Sequence, residues 1–190
     1  MEGIHTVIAS LYWDATRASA NVAWVVLLFT ILWGVLLTTR ILRGMDRPAW
    51  LLDLHKWLGV VVIVFSIVHM VTLVLDSYID FSVWSVLIPG LSSYRTWSVT
   101  AGVIGFWLLI TVQLTSVFKR KFTQRTWRRI HMMSYPLYGI IAVHALTAGS
   151  DVGSRWYTGF SMALSMTGAA VFGIRYVAGR AVRKSSQHAT

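Results

Sequence analysis

Cysteine is absent from this chain of 190 residues, and charge is scarce: Asp, Glu, Lys and Arg make up 13% of it, against about 25% in an ordinary soluble domain. The first absence removes disulfides, thiolate metal sites and iron–sulfur clusters of the all-cysteine kind. The second, with 56% hydrophobic residues and a mean hydropathy of +0.63, excludes an ordinary soluble domain. No Gly-x-Gly occurs anywhere. The dinucleotide fingerprint is therefore absent, no Gly-Lys pair of a phosphate loop occurs either, and any flavin or nicotinamide site is expected outside this chain. Acidic residues are few as well, 7 against 17 basic, giving a formal charge of +10.

What is present is a set of long uncharged runs: 18–39 (22 residues), 57–75 (19), 96–118 (23), 130–150 (21) and 156–174 (19). A helix crossing the hydrocarbon core needs about 20 mostly apolar residues. Barrel strands would alternate over about 10 residues, whereas Val25–Leu32 and Val60–Phe65 are apolar at nearly successive positions. The expected fold is an all-α integral membrane protein, a bundle of five transmembrane helices. A further uncharged stretch, 81–94, has 14 residues and contains Pro89, Gly90, Ser92 and Ser93; it is too short to span and is expected at the interface. The domains expected are an external interfacial segment 1–17, a transmembrane domain 18–178 and a basic tail 179–190 expected to be disordered. No cleaved signal peptide is expected, because the first apolar run is long, starts after residue 17 and ends at Arg40 and Arg43 without a small-x-small signal.

The basic residues hug the ends of these runs. Arg40, Arg43, Arg47 and Lys56, then Lys119, Arg120, Lys121, Arg125, Arg128 and Arg129, then Arg175, Arg180, Arg183 and Lys184 put 14 of the 17 on one side. Cytoplasmic loops accumulate Lys and Arg, so the N-terminus is expected outside and the C-terminus inside. The same pattern accounts for the charge without nucleic acid, and makes membrane lipid, including anionic inner-leaflet lipid, the natural companion.

Four of the six histidines fall two to a helix: His55 and His69 on the second, His131 and His144 on the fourth. These helices run parallel, so His55 and His131 share the inner level and His69 and His144 the outer one. On helix two the spacing of 14 returns to within about 40° of one face and rises about 21 Å. On helix four the spacing of 13 leaves an ideal rod about 140° out of phase, and Pro136 between the two permits a kink that rephases them. An ionisable group inside a membrane is a functional hypothesis by default. Structural hydrogen-bonded histidines and a proton path are the alternatives. Zinc suits the spacing poorly, since two histidines per level leave a tetrahedral site short of ligands. Haem suits it, because iron takes an axial imidazole on each side of the porphyrin. The expectation is two b-type haems, an inner one on His55 and His131 and an outer one on His69 and His144.

Gly59 and Gly139 are expected to let a macrocycle approach the backbone, although glycine also serves ordinary helix packing. The second imidazole nitrogen needs an acceptor, for which Ser66 and Thr72 stand near His69. Met70, Met132 and Met133 read as packing residues. Trp57, Trp107 and Trp127 are candidates for a haem edge. Arg128, Arg129, Lys56, Arg40 and Arg43 are candidates for inner propionates, and Tyr94, Arg95 and Arg155 for outer ones.

Several stretches together, Leu54–His55–Lys56, His69–Met70 with Asp76–Ser77–Tyr78, Ile88 to Arg95, Thr115 to Arg120, Trp127 to His131, Tyr135, and His144 with Thr147 to Asp151, resemble the ferric reductase-like transmembrane domain. The resemblance covers residues 12 to 178 and is nearest to short bacterial members without a fused dehydrogenase. It implies a haem b membrane core like that of NADPH oxidases and ferric reductases, with His55, His69, His131 and His144 as the iron ligands. It also implies an oxidoreductase component in a bacterial cytoplasmic membrane. Such a component would carry electrons from a separate reductase, flavoprotein or quinol to an external acceptor that the sequence does not name. A haem-bearing anchor of a larger dehydrogenase or hydrogenase exchanging electrons with quinone, and a cofactor-free transporter or scaffold, are the rival functions.

The charge asymmetry generates a direct test. A cysteine placed at Gln124 in this cysteine-free chain is expected to resist an impermeant thiol reagent applied to intact cells and to react once the cells are opened. Labelling from outside would reverse the orientation.

Overall fold

The structure, a computed structural model, describes residues 2–38, 49–76, 79–149 and 151–187. Among these residues every regular element is helical: α1 (Glu2–Thr38), α2 (Ala49–Leu75), α3 (Val83–Leu87), α4 (Thr96–Val117), a 3₁₀ turn (Lys119–Lys121), α5 (Gln124–His131), α6 (Ser134–Ala148) and α7 (Arg155–Gln187). Four stretches are long and apolar enough to cross a membrane: Ser10–Thr38, Ala49–Leu75, Thr96–Val117 and Arg155–Val177. The connection holding Arg40, Arg43 and Arg47, and Ser77, Tyr78, Ser150 and His188, lie outside the described residues.

Helix ends depart from the uncharged runs because charges inside helices find partners. α1 continues through the expected boundary at residue 17, where Arg17 pairs with Asp151 at 2.6 Å and reaches Asp14 at 3.9 Å. Its 37 residues make a rod of roughly 55 Å, longer than a bilayer with its headgroups, about 40–45 Å. α2 begins eight residues before its uncharged run, and Lys56 bonds Asp53 at 2.8 Å within it. At the other end, the tail expected to be disordered after residue 178 is helical to Gln187; its Ala, Arg, Lys and Gln are good helix formers. The stretch 81–94 holds only the short α3, capped by Ser82 Oγ accepting from the Ser85 amide.

The fourth run is not one helix. α5 ends at His131, Met132 and Met133 form a turn, and α6 starts at Ser134. Pro136 has no N–H to give the carbonyl of Met132 and its ring would crowd that oxygen. The Met132 carbonyl instead accepts from the Tyr135 amide at 3.3 Å, and regular bonding resumes with the Leu137 amide on Met133 at 3.0 Å. The break thus falls at the acceptor that proline abandons, and α6 is left with 15 residues.

α1 packs along α2 and α4 along α6, while α7 closes against α6 and α1. α2 and α6, the two helices expected to carry most of the histidines, scarcely touch each other. Trp24, Leu27, Leu28, Ile31 and Val35 of α1 form the core with Val62, Leu109, Leu137, Tyr138, Ala142 and Val171. The outside is just as apolar, with Val71, Ile104, Val143 and Met166 exposed, as a surface facing lipid tails requires. Between surfaces of equal polarity, close packing and hydrogen bonds hold helices together. Tyr138 meets both demands: its hydroxyl donates to the Leu164 carbonyl at 2.8 Å, and its ring lies against Gly168.

A Cβ at Gly168 would overlap the Tyr138 ring, whereas nothing stands within 4 Å of one at Gly173 on the same helix. Gly168→Ala is therefore expected to lower the thermal midpoint in detergent, overpacking costing about 1–3 kcal/mol against a helix-propensity gain of about 1 kcal/mol. Gly173→Ala, with the gain alone, is expected to hold or raise it.

Candidate functional site

The four histidines meet in two pairs. The rings of His55 and His131 have centroids 6.0 Å apart with planes at 66°, and those of His69 and His144 are 6.4 Å apart at 74°. The break before Pro136 lets this happen: His131 ends α5 while His144 rides on α6, so the 13-residue phase error of a single rod never arises.

Each ring is held at Nδ1 by a neighbouring helix. His55 Nδ1 lies 3.1 Å from the Thr30 carbonyl and His69 Nδ1 3.0 Å from the Thr16 carbonyl, both on α1. His144 Nδ1 lies 2.7 Å from the Ser98 carbonyl on α4. His131 Nδ1 lies 3.2 Å from Ser116 Oγ, also on α4. The expected acceptors for His69 are thus replaced. The Ser66 hydroxyl donates to the Val62 carbonyl, and Thr72 Oγ1 takes a 2.7 Å bond from Thr16 Oγ1, which locks α1 to α2 at the same level. With a carbonyl as partner, Nδ1 must carry the proton, which leaves Nε2 with its lone pair.

Two cavities surround these pairs. One, of about 880 Å³, includes His55, His131, Gly34, Gly59, Gln113, Trp57, Trp127, Lys119, Arg128 and Arg175 in its wall. The other, of about 200 Å³, includes His69, His144, Gly102, Met70, Tyr94, Arg17 and Asp151. Leu27, Val62, Leu109 and Leu137, one from each of α1, α2, α4 and α6, belong to both walls. They are all buried and form an apolar layer between the two levels.

Glycines make room for the rings, at Gly34 and Gly102. A Cβ on Gly34 would stand 3.1 Å from His55 Cε1, and one on Gly102 would stand 2.6 Å from His144 Cε1. Gly59 lines the larger cavity but faces Gln113, 2.7 Å from where its Cβ would be, while Gly139 has open space around it and lines neither cavity. Gly34 and Gly102 carry no signal in the sequence, since their partners lie on other helices.

The other candidates separate in the same way. Trp127 stacks on His131, ring centroids 5.0 Å apart at 21°, with Lys119 Nζ 3.9 Å from the centre of its ring. Trp107 turns away and donates to the Leu87 carbonyl at 2.8 Å. Arg128 and Lys56 line the larger cavity, Arg129 does not, and Arg175 joins them. At the other level Tyr94 lines the cavity, but Arg95, at φ 38°, donates to the carbonyls of Thr147 and Gly149 at 2.7 and 3.2 Å and closes the end of α6. Arg155 lies outside the wall, and the basic group present there is Arg17, held by Asp151.

Among the described residues there is no cluster of three or more His, Cys, Asp or Glu side chains suited to a metal ion. A sequence model of the family described as ferric reductase like transmembrane component matches residues 18–142. The match contains His55, His69 and His131 and stops two residues short of His144. No curated protein matches the chain, and no solved structure matches it.

Proposed function

The chain belongs to the ferric reductase like transmembrane component family, and from that premise and the paired imidazoles we propose that it transfers electrons across a membrane through two b-type haems. His55 and His131 hold one, His69 and His144 the other. The observation that carries this reading is the separation of the rings. One metal ion shared by two imidazoles would need the rings close together and facing one site, and the two pairs stand with ring centroids 6.0 and 6.4 Å apart.

Three further observations support the fit. Every Nδ1 is already engaged, which fixes the tautomer that presents Nε2 to a metal. Gly34 and Gly102 leave the rings of His55 and His144 the space they occupy. α2 and α6 stand apart where a planar group would have to enter. Haem supplies reversible one-electron exchange at iron. The protein supplies position, apolar surroundings and charge at the rim. Arg128, Arg175 and Lys56 stand at the larger cavity and Arg17 at the smaller, as partners for propionates.

The direction follows from the charges. The end bearing Lys119 to Arg129 faces the cytoplasm, so His55 and His131 form the inner level, and α6 completes five crossings in a bacterial cytoplasmic membrane. A separate flavoprotein, reductase or quinol donates electrons inside, and the acceptor is external.

Purified protein loaded with haem is expected to hold two haems per chain by the pyridine haemochrome assay. His69→Ala or His144→Ala should remove the outer one, and His55→Ala or His131→Ala the inner one, each at some loss of stability since the cofactor binds only the folded chain. A fully loaded wild type with a single haem would defeat the two-level assignment.

A donor requirement follows from the missing nucleotide motifs. Dithionite should reduce the purified chain reversibly, while NADPH alone should leave its spectrum unchanged until a flavin-bearing reductase is added. Rapid reduction by NADPH without detectable flavin would contradict the need for a separate donor.

A further inference from the structure

The four imidazoles divide into three and one. Those of His55, His69 and His144 rest on main-chain carbonyls, at 3.1, 3.0 and 2.7 Å, acceptors that no substitution removes. That of His131 rests on a side chain, Ser116 Oγ, at 3.2 Å. The same hydroxyl lies 2.7 Å from the Val112 carbonyl one turn back. A serine hydroxyl has one proton and two lone pairs, and a carbonyl can only accept. The shorter contact therefore takes the Ser116 proton, and the lone pair facing His131 accepts from its Nδ1–H. Trp127, stacked on the face of the same ring, limits tilt, while Ser116 is what limits rotation about the ring normal.

We propose that Ser116 is the positioning residue of the inner site: it orients His131 and, through the strength of the Nδ1–H···Oγ bond, sets the reduction potential of the iron that His131 ligates. The proposal rests on the bis-imidazole haem reading above. A hydrogen bond accepted from Nδ1–H raises the basicity of the ligating nitrogen, and a more basic ligand favours the oxidised, more positive iron. Removing the acceptor then favours the reduced form. The outer level, with both rings on main-chain carbonyls, has no equivalent residue, so a change at position 116 acts on one level alone.

The test is a potentiometric titration of the full, haem-loaded chain with Ser116→Ala and Ser116→Thr, read by the optical spectrum and by low-spin ferric EPR, with haem content checked by pyridine haemochrome. Ser116→Ala is expected to keep both haems and to move one component to higher potential. The reduced-to-oxidised ratio at fixed ambient potential should rise by up to about tenfold, which is about 59 mV for one electron. The EPR signal of that component should shift with it, and Ser116→Thr should restore both. In a His69→Ala background, which lacks the outer haem, the shift should persist.

Unchanged midpoints and EPR signals in a fully loaded Ser116→Ala protein would overturn the proposal, as would a shift in the component that His69→Ala removes. Should Ser116→Ala fail to retain haem, Ser116→Cys, a weaker acceptor of similar shape, carries the same comparison, and absence of an upward shift there overturns it equally. A wild-type chain that binds no haem through His55 and His131 would instead overturn the functional reading, a result visible before any Ser116 variant is made.

Discussion

An imidazole inside a membrane has no water to satisfy it, so its N–H must find an acceptor in the protein. The rest of this structure depends on how that demand is met. Three rings use a carbonyl already engaged in its own helix, which has a second lone pair to offer, and one uses a hydroxyl on the same kind of neighbour. The bonds tie α2 to α1, and α5 and α6 to α4. They follow the tight packing of α1 on α2 and of α4 on α6, and they leave the remaining nitrogen of each ring without a share in them.

The space between the helices is organised by what it excludes. Leu27, Val62, Leu109 and Leu137 close the middle of the bundle, so the two levels are separate compartments with one apolar partition. Around it the bundle gains little from burying apolar surface, because lipid is an equally apolar alternative. Specific contacts do the joining instead: the Thr16–Thr72 hydroxyl bond, the Trp24–Phe160 edge contact, Tyr138 on Gly168, and Arg17 of α1 with Asp151 of the turn between α6 and α7.

Four of the five spans and the pairing of the histidines were legible in the sequence because both are one-dimensional. Charge spacing marks where helices meet water, and parallel helices convert sequence position into depth. The pairing of His55 with His131 and of His69 with His144 follows from depth alone. What escaped was whatever depends on a partner from another helix. Arg17 reads as the end of a span until Asp151 is seen beside it. Thr16, Thr30 and Ser98 act through their carbonyls, which every residue possesses, so nothing in their side chains could mark them. Gly102 drew no notice because only the position of His144 shows what it makes room for.

One numerical coincidence in the backbone has a wider consequence. Thr16 and Thr30 are 14 residues apart on α1, and their partners His69 and His55 are 14 apart on the antiparallel α2. The two helices are graduated alike, and each is the gauge against which the other is set. Adding one residue between the two marks on either helix would turn one end by about 100° and displace it by about 1.5 Å, so that at most one ring could keep its carbonyl. The interval is thus fixed on both helices at once, whereas the connection between them can lengthen or shorten without disturbing either mark. Variation in chain length has to be absorbed at the membrane surfaces, leaving the distance between the two levels a constant of the fold.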